Sequence, residues 1–244
     1  MTSEPGRYPY ALLRLLERAF DAEQAALRLA SEQVAATFRA GGLLYVFGAG
    51  HSHLVAQEAF YRAGGPARVC PVLDPATMLH EGAQRSGRLE RESGRAARVL
   101  DRYDVVAGRD TMLVVSNSGV NALPVEMAEA ARARGLATVA ITSREVSRAS
   151  PAHARRLMDV VDLVVDNHCP IGAALLPADA GAPALGPAST VVAMALLDAL
   201  LVGALALQRD SGGTPEVFRS SHLEGAPEHN ERLVHALRER VPHL

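Results

Sequence analysis

Residues 45–58, YVFGAGHSHLVAQE, run from an apolar segment into two glycines and then into a serine set between two histidines. A short apolar run closed by glycine reads as a buried strand ending in a tight turn. A helix starting just after such a turn aims backbone N–H groups and its positive end at an anion. Four readings compete: a dinucleotide site, a sugar-phosphate site, a metal site, or a bare turn. The dinucleotide fingerprint G-x-G-x-x-G fails at its third glycine, where His53 stands, and Arg68–Val72 lacks the terminal acid that would hold a ribose. Two histidines at H-x-H spacing with no adjacent carboxylate make a poor metal site, even with His80 added, so no metal is expected. The triphosphatase pattern G-x-x-x-x-G-K-[ST] and the hydrolase elbow G-x-S-x-G are both missing.

Working outward, 10–38 repeats apolar residues every three, four or seven positions, which predicts a long amphipathic helix with a break near its middle, stopped by Gly41-Gly42. Short apolar runs at 43–47, 68–72, 112–115, 138–141 and 163–165 read as five strands. Helices are expected over 53–62, 122–134, 188–208 and 231–240, with a further helix start after Asp74-Pro75. The Ala-, Gly- and Pro-rich segment 170–187 reads as an irregular loop. Continuously apolar strands alternating with helices predict one doubly wound parallel five-stranded α/β sheet covered on both faces. The expected organisation is a helical extension over 1–42, a ligand-binding domain over 43–210, and a tail with a helix over 211–244.

In such sheets ligands gather at the carboxyl ends of the strands. Three polar loops fall on that edge: GAGHSH after the first strand, SNSG after the third and Thr142-Ser143 after the fourth. Their hydroxyls and backbone amides suit a phosphate without a metal, which nominates Gly50, Ser52, Ser116, Asn117, Ser118, Thr142 and Ser143. The competing reading is that Ser52 and Ser118 only cap helices.

Bulk composition excludes several classes. Net charge is −2, aromatics are 4% and Trp is absent, so no global positive field draws a polyanion, little material exists for stacking bases, and no nucleic-acid partner is expected. Arg85, Arg88, Arg91, Arg95 and Arg98 interleave with Glu81, Glu90 and Glu92 and read as a solvated helix face. Cys70 and Cys169 show no ligand spacing, and Cys70 reads as a core residue. The apolar run 190–207 is interrupted by Asp198 and reads as a buried or interfacial helix, so no membrane partner is expected. No signal-peptide layout stands at the start, and a cytoplasmic location is expected.

The set GAGHSHLVAQEAFYRAGG, LDPATMLHEGA, VVSNSGVNALPVEMA, GPASTVVA and EHNERL resembles a bacterial group of stand-alone sugar isomerase (SIS) domain proteins, and more distantly the N-acetylmuramic acid 6-phosphate etherases. The resemblance implies a sugar-phosphate ligand held by the Ser52 and Ser116–Ser118 loops. It also implies a homodimer or tetramer with shared sites; no cofactor is expected. Chemistry in this fold is proton abstraction beside a carbonyl, which needs a carboxylate or histidine base. Glu81, in an apolar approach where burial would raise its pKa, and Glu58, on the helix behind the first loop, are the candidate bases. His51, His53 and His229 are the candidate assisting groups, with His80, His222 and Glu228 also within the available set. The expected activity is loss of water from an amino-sugar 6-phosphate such as N-acetylglucosamine 6-phosphate, with aldose–ketose isomerisation and non-catalytic sensing as alternatives.

Overall fold

The structure is a computed structural model that describes residues 4–151, 155–177 and 182–244. The N-terminal amphipathic stretch is two helices, α1 (Glu4–Ala22) and α2 (Gln24–Arg39). They part at Glu23, whose carboxylate accepts hydrogen bonds from Asp166 N at 3.1 Å and His168 Nε2 at 3.0 Å. The break is therefore held by the far edge of the sheet. β1 (Leu44–Gly48) leads through a single 3-10 turn, Gly50–Ser52, into α3 (His53–Glu58). Then follow β2 (Val69–Val72), α4 (Ala83–Leu89), α5 (Ala96–Leu100), β3 (Thr111–Val115) and α6 (Ala122–Ala133). β4 (Ala137–Thr142), α7 (Arg144–Ala149), α8 (Leu157–Val160) and β5 (Leu163–Asp166) complete the sheet. The last elements are β6 (Ala174–Leu176), β7 (Leu185–Pro187), α9 (Ser189–Asp210) and α10 (Ala226–Leu237).

The five strands pair in parallel in the order β2-β1-β3-β4-β5. Alternate residues point to opposite faces, so β1 to β4 each feed two cores. Leu44, Val46, Leu113, Val115, Val139 and Ile141 pack on one face with α2 and α9. Tyr45, Phe47, Met112, Val114 and Ala140 pack on the other with α5, α6 and α10. Burial on both sides is the physical reason the strands read as unbroken apolar runs. Pro71 is tolerated because β2 is an edge strand with only β1 beside it. Cys70 is fully buried in that strand.

Several expectations need correction. Helix α3 ends at Glu58, not at 62, and Tyr61 just beyond it takes a left-handed φ of 49°. The segment 170–187 contains the antiparallel pair β6–β7, and Tyr8 Oη donates to Pro187 O at 2.7 Å across it. α10 begins at Ala226, five residues before the expected start, where Gly225 at φ 67° turns the chain and Pro227 sits in the first turn. The arginine run is two short helices, and Arg95 does not lie on a solvated face. It forks onto the buried Asp74, Nε to Oδ2 at 2.6 Å and a terminal nitrogen to Oδ1 at 3.0 Å. α9 is long and apolar enough, by length and composition, to cross a bilayer, but its inner face from Val192 to Ala204 is core.

Candidate functional site

In the order β2-β1-β3-β4-β5 the chain reverses direction of winding between β1 and β3, and in sheets of this order the ligand crevice falls at the carboxyl ends of those two strands. The two loops that border it are GAGHSH and SNSG. Gly48 ends β1 with no room for a side chain: a Cβ there would lie 2.8 Å from Ser52 Cβ and nearer still to the Ser52 carbonyl. The turn therefore folds back onto the strand, and Gly50 completes it at φ 57°. His53 closes it as a clasp. Its ring is buried at 5%, and Nδ1 hydrogen-bonds to the Gly50 carbonyl oxygen. His51 faces solvent, and the exposed His80 ring stands 6.2 Å from that of His53. The two histidines of the opening motif thus divide, one shaping the turn and the other open to a ligand.

The serines divide as well. Ser52 is half-buried, makes no capping bond to α3, and its hydroxyl has no partner among the described residues. Ser118 is likewise half-buried and its hydroxyl has no partner among the described residues; the N-cap position of α6 falls at Asn121, whose side chain makes no capping bond. Ser116 is buried at 4%, and its Oγ accepts from Gly119 N at 3.2 Å, which shapes the SNSG turn. Asn117 braces that turn from the side: its Oδ1 accepts from Asn167 Nδ2 at 2.9 Å, and its backbone oxygen accepts from Ser143 N at 3.0 Å. Thr142 and Ser143 do not reach the crevice. Ser143 is fully buried, donating to Cys169 O at 2.8 Å and accepting from Val146 N at 3.1 Å as the cap of α7. Thr142, equally buried, donates to Asn117 O at 3.3 Å. These two support the second loop and leave the set of exposed donors.

The family model of the SIS domain matches residues 7–143. The chain belongs to the SIS domain family. Similar proteins include a UPF0309 protein of Geobacillus thermodenitrificans, 43% identical over 221 residues, covering 89% of this chain and 88% of the relative. A UPF0309 protein of Brucella canis is 38% identical over 244 residues, covering 100% of both. Among solved structures, a phosphoheptose isomerase from Neisseria gonorrhoeae superposes with a TM-score of 0.55 at 17% identity, over 80% of this chain and 93% of that one. The sugar isomerase domain of an RpiR transcription factor from Sphaerobacter thermophilus superposes at 0.53 with 15% identity, over 98% and 99%. At these identities the likeness establishes the SIS fold, which serves enzymes and a regulator alike.

Within this SIS domain the candidate bases lie apart from one another. Glu81 is 52% exposed and stands 3.7 Å from His80, so the burial expected to tune it is absent. Glu58 sits in the last turn of α3, paired with Arg62 at 2.8 Å, and faces α9, where it and desolvation, the larger cause, raise the carboxyl of Asp198. His229 turns inward, its Nε2 bonded to Val217 O at 2.9 Å, and so holds the tail to its own chain. A carboxylate absent from the sequence-based set, Glu90, stands beside the first loop: its Oε2 is 3.9 Å from where a Cβ on Gly50 would lie. No local signal marks it, since it falls in the charged run and meets the loop only in the folded chain.

Glu23, Asp166 and His168 bring ligand-type atoms within 4.8 Å of one another at the end of β5. Their hydrogen bonds account for the arrangement. Glu23 accepts from Asp166 N and His168 Nε2, and Asp166 Oδ1 accepts from His168 N at 2.8 Å and Arg144 N at 3.2 Å. This is the clasp that breaks the N-terminal helix. A cavity of about 610 Å³ adjoins the SNSG side of the crevice, lined by Arg91, Ser93, Asn121, Val125 and Arg155 among others. Glu126 and Glu129 also line it, and Glu129 pairs with Arg155, so its walls carry both signs of charge beside apolar surface.

Proposed function

We propose that this SIS domain binds a sugar 6-phosphate in the crevice between β1 and β3 and moves the proton on its C2. The observation that carries the reading is the pairing of two unpartnered serines, Ser52 and Ser118, on the two loops that border the switch point. Hydroxyls without internal partners at such an edge, backed by the amides of a glycine turn and the start of a helix, suit a phosphate dianion. Phosphate binding then orients the sugar across the crevice. The exposed His51 reaches the ring oxygen or the phosphate, and its imidazole suits ring opening.

In the reaction a carboxylate takes the C2 proton, the C2–H pair forms the C1–C2 double bond, and the carbonyl pair moves onto O1. Where C2 carries a hydroxyl, return of the proton to C1, with the O2 proton passing to O1, completes an aldose–ketose isomerisation. In an elimination the O1 pair re-forms the carbonyl, the C1–C2 pair moves to C2–C3, and the C3 hydroxyl leaves as water with the proton the carboxylate had taken. An amino-sugar 6-phosphate such as N-acetylglucosamine 6-phosphate is the proposed substrate class, and a homodimer or tetramer with shared sites the proposed assembly.

Incubation with a panel of aldose and amino-sugar 6-phosphates in deuterated water tests this. Deuterium at C2 is the expected result. A new ketose identifies an isomerase, and a mass lower by one water identifies a lyase. Binding with no exchange across the panel refutes proton transfer and leaves a sensor.

A further inference from the structure

Glu90 follows the last turn of α4, and its backbone is strung between the two loops of the crevice. Its N–H donates to Ser86 O at 3.0 Å, and its carbonyl oxygen accepts from Leu123 N at 3.0 Å in the first turn of α6. α6 is the helix that SNSG opens, while α4 packs against the Gly50–Ser52 turn. The side chain points toward that turn. Oε2 lies 3.9 Å from the position of a Cβ on Gly50, and because Gly50 has none, no side chain of that residue stands between the carboxylate and the turn.

Glu90 also differs from Asp74, Glu126 and Glu129 in being unengaged. Asp74 is held by Arg95 and Arg102, Glu126 accepts from Gly94 N at 2.7 Å, and Glu129 is paired with Arg155. The half-buried Glu90 carboxylate has no hydrogen bond or ion pair among the described residues. An unneutralised carboxylate beside an anion-binding turn opposes the binding of bare phosphate. The same group becomes useful when the ligand also brings an acidic C–H bond.

We propose that Glu90 is the catalytic base that takes the C2 proton, a role that rests on the phosphosugar reading above. Its carboxylate oxygen forms the new O–H bond as the C2–H pair enters the C1–C2 enolate, which is an enediolate where C2 carries a hydroxyl. In isomerisation the same group returns the proton to C1. Glu90 reaches the ligand from the β3 side of the turn, while the ligand's phosphate lies on the serines.

Wild type, Glu90→Gln, Glu90→Asp and Glu81→Gln are incubated with N-acetylglucosamine 6-phosphate and the rest of the panel in deuterated water, and inorganic phosphate is titrated into each. Glu90→Gln is expected to lose C2 exchange by about 10²-fold or more. It is expected to bind inorganic phosphate about fivefold more tightly, because one like charge has left the turn. Glu90→Asp, with its charge kept and its reach shortened, is expected to lose exchange while holding wild-type phosphate affinity. Exchange at the wild-type rate in Glu90→Gln overturns the role, as does exchange lost in Glu81→Gln but kept in Glu90→Gln. No exchange by wild type on any sugar overturns the parent reading and the base role with it. In that event an unchanged phosphate affinity in Glu90→Gln also removes the carboxylate from the turn.

Discussion

Replacing Gly48 with alanine tests how tightly the first loop is built. A Cβ at that position would lie 2.8 Å from Ser52 Cβ, with the Ser52 carbonyl carbon and oxygen nearer still. Non-bonded carbons rest about 3.5–4.0 Å apart, so the turn must retreat by about 1 Å. The obstacle is backbone and cannot swing aside, which puts the cost within the roughly 1–3 kcal/mol of an overpacked core. A retreat of about 1 Å is about twice the 0.5 Å tolerance of a preorganised site, and predicts about 10²-fold weaker capture of phosphate. Urea unfolding with and without inorganic phosphate reads both effects. At ten times its own Kd, phosphate stabilises wild type by about 1.4 kcal/mol, and the variant at the same concentration by less than about 0.1 kcal/mol. Gly87→Ala is the control, because a Cβ on that α4 residue would meet only an Arg91 nitrogen at 3.4 Å. It is expected to gain about 0.5–1 kcal/mol. A Gly48→Ala protein with the wild-type midpoint and the full phosphate gain refutes the reasoning.

Ser52→Ala and Ser143→Ala are expected to behave oppositely. The first should stay within about 0.5 kcal/mol of wild-type stability and weaken phosphate binding, because its hydroxyl has no internal partner. The second should lose about 1–2 kcal/mol, since it removes the cap of α7 and a buried bond to Cys169 O. Denaturant midpoints and phosphate titrations separate the pair, and equal stability losses would contradict the division of roles. Arg240→Met takes the closer cation from the fully buried Asp110 carboxylate, to which Arg240 donates at 2.6 Å, leaving it the Leu43 and Val106 amides and Arg109 at 3.9 Å, and is expected to cost about 3 kcal/mol. Adding Asp110→Asn should recover part of that loss in a double-mutant cycle, and strict additivity would refute the coupling. Burial pushes the Cys70 and Cys169 thiols up from 9.0 to about 12. A raised folded pKa favours the neutral thiol, so this stabilisation is complete below pH 9 and fades as pH climbs from 9 through about 12. A chromogenic disulfide reagent at pH 8 should label neither thiol in the folded protein and both in urea; prompt labelling of the native chain would overturn their burial.

The strands, their parallel pairing and the edge on which ligands gather are legible in the chain itself. Doubly buried strands must be continuously apolar, and the turn after β1 must begin with a glycine because its own backbone folds onto that residue. Both properties are local, so a linear reading reaches them, and the family follows from the same motifs. The roles of individual polar groups depend on partners far along the chain. Ser52 and Ser118 remain free because neither α3 nor α6 takes a side-chain cap, while Ser143 is consumed by the Cys169 carbonyl oxygen and the α7 amide. Glu23 breaks the first helix because β5 holds it, and His229 turns inward because Val217 accepts its ring. Residue type near a turn announces that a ligand can be held there. Which hydroxyl and which carboxylate face it is settled only when non-local hydrogen bonds have claimed the others, and that is why Glu90, unremarkable in a charged run, stands beside Gly50 in the fold.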